Sequence, residues 1–244
     1  MNSKKIFSFI MVFTTIFSVL LTDMLSFASA LPKGAGKLKH VSDLRFRDEY
    51  FYRCLTKSEK QALNEIEVID CPNMKIMYAD EIEYLPNLKK INLSTNQLLQ
   101  LNLSNNPLLE ELNLAENQLS ELNLSNNPKL RLLTLSNNKI GDLNIKSNTL
   151  LEEITIESNL LKKVNFSNNI KLSHIDISSN KIRDLDVSKN TNLSVLSAIN
   201  NRITSLTLPE LNKFIVLEVN NNPLNKETVE KLKGIQLSQG TVRF

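Results

Sequence analysis

The sequence predicts an α/β solenoid, a curved right-handed stack of 21-residue coils that carry parallel β-strands. Three observations predict this fold class. The heptapeptide LNLSNNP occurs twice, at residues 101–107 and 122–128, which are twenty-one residues apart. The same period repeats a pattern of aliphatic residues seven times. An asparagine recurs at one position of every copy, and a constant period of this length is typical of stacked repeats.

Residues 1–30 are predicted to be a signal peptide that is cleaved after Ala30. Lys4 and Lys5 precede an apolar run at 6–21, and small residues at 28–30 form a signal-peptidase site. The alternative is an uncleaved membrane anchor, but the run is shorter than the ~20 residues of a spanning helix. We therefore expect a secreted, extracellular chain that has no membrane segment after cleavage.

Residues 31–84 are predicted to be an N-terminal cap, mainly helical, that leads into a first strand. Thr56 and Glu59 form a capping box for a helix that runs to about Asn64, and residues 66–69 follow as the strand. An earlier helix is predicted from apolar residues at helical spacing, namely Phe46, Tyr50, Phe51, Cys54 and Leu55.

The two cysteines, Cys54 and Cys71, both fall in this cap. In an exported protein they suggest a disulfide, and buried free thiols are the alternative. A metal site is not expected, because the chain has no Cys-x-x-Cys and its histidines, His40 and His174, are far apart in sequence.

Residues 85–224 are predicted to form seven repeats. Each copy reads L-x-x-L-x-L-x-x-N-x-L and ends with a second phrase, L-x-L-S-x-N. Alternating leucines predict a short strand with one apolar face, and stacked copies about 4.8 Å apart bury that face continuously. Because an amide both donates and accepts hydrogen bonds, the recurrent asparagine is predicted to form a ladder in the buried turns. Its members are Asn96, Asn117, Asn138, Asn159, Asn180, Asn201 and Asn222.

Residues 225–244 are predicted to be a C-terminal cap. The segment NKETVEKLKGI is expected to be a short helix, and the last residues, TVRF, are expected to be a closing strand.

The repeats resemble those of bacterial leucine-rich repeat proteins. The 21-residue phrase is similar to the short class of repeats called IRREKO. Two segments are similar to secreted bacterial members, namely EIEYLPNLKKINLS at 81–94 and LDVSKNTNLSVL at 185–196. The general design resembles the internalins. The resemblance implies a secreted bacterial binding protein, with host interaction as one use. Internalin repeats are usually one residue longer and have a helical convex side. Here the second L-x-L predicts that this side is also extended, which gives a flatter, two-stranded coil.

No catalytic site, cofactor or nucleic-acid interface is predicted. The alternating set His174, Asp176 and Ser178 shares one strand face, but an open sheet lacks the enclosed oxyanion pocket that such catalysis needs. A formal net charge of +3 from scattered basic residues is not the footprint of a nucleic-acid binder. Five Asn-x-Ser sequons matter only in a glycosylating host: Asn92, Asn102, Asn123, Asn165 and Asn192.

The predicted concave face carries an acidic strip formed by Glu111, Glu153, Glu157 and Asp176, with Glu116 at its edge. Near the C-terminal end, an apolar patch consists of Val195, Ile199 and Val216. The candidate binding surface also includes the polar residues Asn113, Thr155 and His174. An exposed apolar patch indicates a contact surface, and the alternative is that the C-terminal cap covers it. The acidic strip indicates a binding surface as well, and the alternative is that it is only a solvated face. Because the face lacks aromatic anchors, weak, polar or multivalent binding is favoured.

These features predict a monomeric, non-enzymatic binding protein that recognises a protein or glycan ligand with its concave β-face. The alternative is a cell-envelope structural or spacer protein without a dedicated ligand. The two interpretations differ in whether changes to the surface alter binding.

Overall fold

The computed structural model describes residues 38–57, 62–210, 214–235 and 241–244, and the predicted signal peptide lies outside them. Within these ranges, two α-helices, α1 (Glu49–Leu55) and α2 (Lys226–Lys233), accompany short 3-10 helices at Val41–Asp43, Leu63–Glu65 and Asp80–Tyr84. The strands are β1 (Val68–Asp70), β2 (Lys90–Asn92), β3 (Glu111–Asn113), β4 (Leu132–Thr134), β5 (Glu153–Thr155), β6 (His174–Asp176), β7 (Asp184–Asp186), β8 (Val195–Ser197), β9 (Ser205–Thr207), β10 (Val216–Glu218) and β11 (Thr241–Arg243).

Nine of these strands form one parallel sheet in the order β1-β2-β3-β4-β5-β6-β8-β10-β11. Neighbouring strands pair with a register shift of one repeat, so that Leu112 pairs with Leu133 and Leu133 with Ile154. These central residues are at most 2% exposed, because the alternation of the strand turns them into the core. The predicted solenoid of 21-residue coils is confirmed.

The other side of the coil is only partly a sheet. Strands β7 and β9 pair with each other, whereas the same L-x-L phrase in the other described repeats forms no strand. Its leucines are still buried there, as Leu103 and Leu124 show. The predicted two-stranded coil is therefore right for two rungs and wrong for the others. In those rungs a corner hydrogen bond joins neighbouring coils, such as Gln118 N–H to the Leu98 carbonyl at 2.9 Å.

The first asparagine column contains the seven predicted ladder residues and links every rung to its predecessor. The Nδ2 of Asn117 donates to the carbonyl of Leu93 at 2.9 Å and to two carbonyls of its own turn. Its Oδ1 accepts the N–H of Leu98 at 3.0 Å. The residue before each of these asparagines has a left-handed backbone, with φ between 55° and 59°: Thr95, Glu116, Asn137, Ser158, Ser179, Asn200 and Asn221.

A second asparagine column occupies another corner of the rungs and consists of Asn106, Asn127, Asn148, Asn169 and Asn190, all 0% exposed. The Nδ2 of Asn127 donates to the carbonyls of Leu103 and Asn106 at 3.0 and 2.9 Å. Within the described residues, the Oδ1 of each member has no hydrogen-bond partner. This column therefore uses its amides as donors.

The helix α1 of the front cap lies where the earlier of the two predicted helices was expected, and Asp48 sets its first residue. The carboxylate of Asp48 accepts the N–H groups of Tyr50 and Phe51, so Asp48 caps α1. Thr56 instead follows the end of α1, where its hydroxyl donates to the Tyr52 carbonyl at 2.9 Å. The predicted capping partner Glu59 and the rest of 58–61 lie outside the described residues, and after them Leu63–Glu65 form a 3-10 turn.

A disulfide joins Cys54, near the end of α1, to Cys71, which directly follows β1, and their Cα atoms are 6.0 Å apart. Cys71 is 1% exposed, and its carbonyl accepts Nδ2 of Asn96, the first member of the first column. The cap is thus attached to the stack where that column begins.

The back cap consists of α2 and β11. The side chain of Asn225 accepts the N–H of Thr228 at 2.8 Å and caps α2, which buries Leu232 against the last rungs. Strand β11 pairs with β10 and adds the last strand of the sheet. No helix in the described ranges combines the length and the apolar character needed to cross a membrane.

Candidate binding surface

The large sheet presents two rows of outward side chains, one on each side of the buried central residue of every strand. The registers place in the first row Val68, Lys90, Glu111, Leu132, Glu153, His174, Val195 and Val216. The second row contains Asp70, Asn92, Asn113, Thr134, Thr155, Asp176, Ser197, Glu218 and Arg243. The predicted strand residues of the site therefore share one continuous surface.

Two carboxylates of this surface, Glu111 and Glu218, are neutralised by cations of neighbouring rungs, whereas Asp70 at the front end accepts Nδ2 of Asn92 at 2.8 Å and has no ion pair among the described residues. Lys90 Nζ lies 2.7 Å from Glu111, and Arg243 lies 2.9 Å from Glu218. The predicted acidic strip is thereby shortened, because Glu111 belongs to an ion pair. Glu116 stands at a left-handed turn, and its carboxylate accepts the hydroxyl of Thr95 at 3.3 Å.

Three carboxylates in the middle rungs, Glu153, Glu157 and Asp176, have no cationic partner among the ion pairs of the described residues. Asp176 accepts the backbone N–H of Ser178 at 2.9 Å, which fixes its side chain at the surface. Glu153 is exposed and pairs in register with His174 of β6. We call Glu153, Glu157 and Asp176 the central carboxylates.

The alternating set on β6 is not arranged as a catalytic relay. The hydroxyl of Ser178 is bonded to that of Ser197 at 2.9 Å, and Ser178 is only 6% exposed. The imidazole of His174 makes no hydrogen bond within the described part of the chain, and only its backbone N–H donates, to the Glu152 carbonyl at 3.3 Å. A relay needs the histidine bonded both to the nucleophile and to the carboxylate. The same described residues contain no group of three His, Cys, Asp or Glu side chains placed to hold a metal ion.

The apolar residues flank the central carboxylates on both sides. Val195, Ile199 and Val216 are half-buried, and β11 of the C-terminal cap pairs with β10 beside Val216. Leu132, which the candidate list omitted, lies in the first row between Glu111 and Glu153. It borders a shallow depression of about 380 Å³ at the front of the sheet. The repeat alignment already places Leu132 on the outward face, because it occupies the position that Glu111 and Glu153 hold in their own copies.

Solved structures with a similar fold are leucine-rich repeat proteins. The functional domain of InlJ from Listeria monocytogenes is 26% identical over 78% of this chain, with a TM-score of 0.55. This chain covers 54% of that domain, about half of its length. Internalin C2 from the same organism is 19% identical, with a TM-score of 0.70 and coverage of 86% of this chain and 99% of that one. A leucine-rich repeat protein from Leptospira interrogans is 21% identical, with a TM-score of 0.53 and coverage of 69% and 52%.

No family model matches the sequence, and no curated protein matches it significantly. The structural neighbours nevertheless settle the class: the chain has the leucine-rich-repeat fold and is similar to bacterial internalins. The resemblance suggested by the repeats is confirmed. This fold commonly serves protein binding, and it supports a protein-binding repeat protein in general terms.

Proposed function

We propose that the chain is exported through its N-terminal segment, cleaved after Ala30, and binds a protein partner of a host with the large sheet. The observation that carries the proposal is the charge pattern of that surface. Glu111 and Glu218 are neutralised by ion pairs within the sheet, whereas the adjacent central carboxylates have no ion pair among the described residues. A surface of this kind attracts and orients a partner with complementary positive charge.

The flanking residues extend the proposed contact. Leu132 on one side and Val195 with Val216 on the other offer apolar area. Thr155 supplies a hydrogen-bonding group between them, and Asn113 supplies another on β3, next to the strand of Leu132. The described sheet rows carry no aromatic side chain, so the contact depends on charge and many small contributions rather than on a large anchor. The protein acts as a monomer in this proposal, and the role is binding rather than catalysis.

The test is charge reversal at the central carboxylates, with Glu153→Lys, Glu157→Lys and Asp176→Lys combined. Partner capture from host extracellular extract should fall by about tenfold or more, because the contact depends on charge complementarity. The matched control combines Glu65→Lys, Asp184→Lys and Glu210→Lys, which change the net charge equally at exposed positions outside the large sheet.

Equal capture by wild type and the sheet variant would reject the proposed surface. Capture only by the producing cell's own wall, unchanged in both variants, would instead favour the envelope spacer role.

A further inference from the structure

A depression on the described part of the chain lies on the second L-x-L side, away from the large sheet. It has a volume of about 690 Å³ and spans three rungs and the 3-10 helix Asp80–Tyr84. Its walls are polar, and its floor contains the half-buried Leu101 and the nearly buried Leu122. We call this depression the second-side groove.

A row of amides with a fixed orientation runs along the groove. The Oδ1 atoms of Asn102, Asn123 and Asn144 accept the backbone N–H two residues further on, at 3.1, 3.0 and 3.1 Å. Because each Oδ1 is held by the backbone, each Nδ2 is directed away from it. None of the three Nδ2 atoms has a partner within the described residues. The row thus presents one donor group per rung, about 4.8 Å apart, the spacing of paired strands.

A row of acceptors accompanies these donors. Gln100, Glu121 and Asp142 each stand two residues before one of the three asparagines and also line the groove. Glu121 and Asp142 have no ion-pair partner in the described ranges. At the equivalent position of the next rung stands Lys163, which ends the anionic row.

We propose that the second-side groove binds a linear, β-linked polysaccharide of neutral sugars. Sugar hydroxyls both donate and accept hydrogen bonds, so they match adjacent rows of amide donors and carboxylate acceptors. An extended β-linked chain advances per sugar by a distance close to one rung, so successive sugars meet equivalent groups. The leucine floor faces the apolar C–H surface of the sugars. The carboxylates disfavour an anionic polymer, which excludes nucleic acid and acidic glycans as occupants.

Substitution of these asparagines by aspartate removes the Nδ2 donors proposed to bind sugar but keeps the Oδ1 that holds each turn. Asp186 occupies the same repeat position naturally, and its Oδ1 accepts the N–H of Ser188 at 2.9 Å. The variant Asn102→Asp, Asn123→Asp, Asn144→Asp should therefore keep its turns and lose its donors. Asn165→Asp is the matched control, since its amide holds the Ser167 N–H at 2.9 Å but lies outside the groove.

The measurement is calorimetric binding of cellohexaose and chitohexaose to protein made in a host without N-glycosylation, because Asn102 and Asn123 lie in sequons. Wild type should bind at least one of them, more tightly than the corresponding disaccharide. The triple variant should lose about tenfold or more of that affinity, since three hydrogen bonds are removed. Asn165→Asp should bind like wild type.

A second variant, Glu121→Gln with Asp142→Asn, keeps the groove's shape and should also weaken binding. The melting curve of each variant shows whether it is folded. No binding of either hexasaccharide by wild type, binding that does not grow with chain length, or an equal loss in Asn165→Asp would overturn the proposal. None of these outcomes bears on the partner of the large sheet, which is tested with the sheet variant.

Discussion

The two asparagine columns run through the same coils but satisfy their amides differently. In the first column, the side chains both donate and accept hydrogen bonds. The Nδ2 of Asn138 donates to three carbonyls. The Oδ1 of Asn159, in the next rung, accepts the N–H of Ile140 at 2.9 Å. In the second column, Asn148 donates to two carbonyls, and its Oδ1 has no partner within the described residues. At the first corner, asparagine is therefore required both as a hydrogen-bond donor and as an acceptor. At the second corner, it is required only as a donor.

The backbone differs between the two corners as well. Every turn before a first-column asparagine passes through a left-handed residue, whereas no described residue at the second corner does. A left-handed residue other than glycine costs free energy, so the first corner stores strain that its hydrogen bonds offset. The comparison shows that tight turns and full amide satisfaction occur together in this solenoid.

The largest effect is expected from a change that removes the core on which both columns depend. Leu133, 1% exposed on β4, should tolerate no charge, and Leu133→Asp should destabilise the protein by about 4 kcal/mol or more. Thermal unfolding followed by circular dichroism checks this. The control Thr134→Asp adds the same charge on the outward face of the strand and should melt close to wild type. A normal melt for Leu133→Asp would contradict the register.

The columns themselves are compared by Asn138→Leu and Asn148→Leu. Asn138→Leu leaves the N–H of Leu119 without its only acceptor and removes one of the two donors to three carbonyls. Asn148→Leu strands no N–H, and the two carbonyls that it affects each keep a backbone N–H donor. At about 1–3 kcal/mol for a buried polar group left unsatisfied, Asn138→Leu should cost about 3 kcal/mol and Asn148→Leu about half as much. Urea unfolding measures both. Equal costs, or a reversed order, would show that the unpartnered Oδ1 does not distinguish the columns.

The strain at the first corner is tested by a reciprocal exchange. Thr95 is β-branched with φ of 56°, while Asn137 occupies the equivalent position with φ of 57°. Since asparagine adopts the left-handed region more readily, Thr95→Asn should stabilise by about 1 kcal/mol, and Asn137→Thr should destabilise by a similar amount. Changes in the same direction for both variants in urea unfolding would argue against backbone strain as the cause.

The smallest and pH-dependent effect is expected where the second column meets the front cap. Asn106 donates to the carbonyls of Ile82 and Leu85, at the 3-10 helix that contains Glu81. Burial raises the pKa of the Glu81 carboxyl, and the negative charges of Asp80 and Asp48 raise it further, against hydrogen bonds from backbone N–H groups. Glu81 is 3% exposed, and its Oε2 has no partner in the described residues.

The sign of the pH effect follows from that shift. The folded state binds this proton more tightly than the unfolded state, so the stability contribution of Glu81 falls as pH rises from about 4 through the raised pKa. Glu81→Gln cannot ionise and should melt higher than wild type at pH 7, with the difference vanishing near pH 4. Melting curves across this range decide it, and a constant difference would exclude titration of Glu81 as the source.

The repeat pattern was sufficient to predict the strands of the large sheet and the direction of their side chains. Positions such as Leu112 and Leu133 are fixed by a period that only stacked coils satisfy, so local pattern and global fold agree. The apolar spacing that predicted the earlier helix did not specify its first residue, which the N-cap Asp48 sets. The capping box predicted at Thr56 for a second helix extends into residues outside the described ranges. Pairing on the second side was overestimated, since L-x-L predicts burial but not whether neighbouring backbones approach closely enough to bond.

The sequence by itself determined the coil length, the buried faces and the residues of both asparagine columns, because these follow from a one-dimensional period. Only the tertiary structure decided which carboxylates remain without a cation, since Lys90 reaches Glu111 and Arg243 reaches Glu218 across separate rungs. It also decided that the second-side asparagines direct their Nδ2 groups outward. Ion pairs and hydrogen bonds depend on distances between atoms of different coils, and a repeating pattern of residue types does not specify those distances.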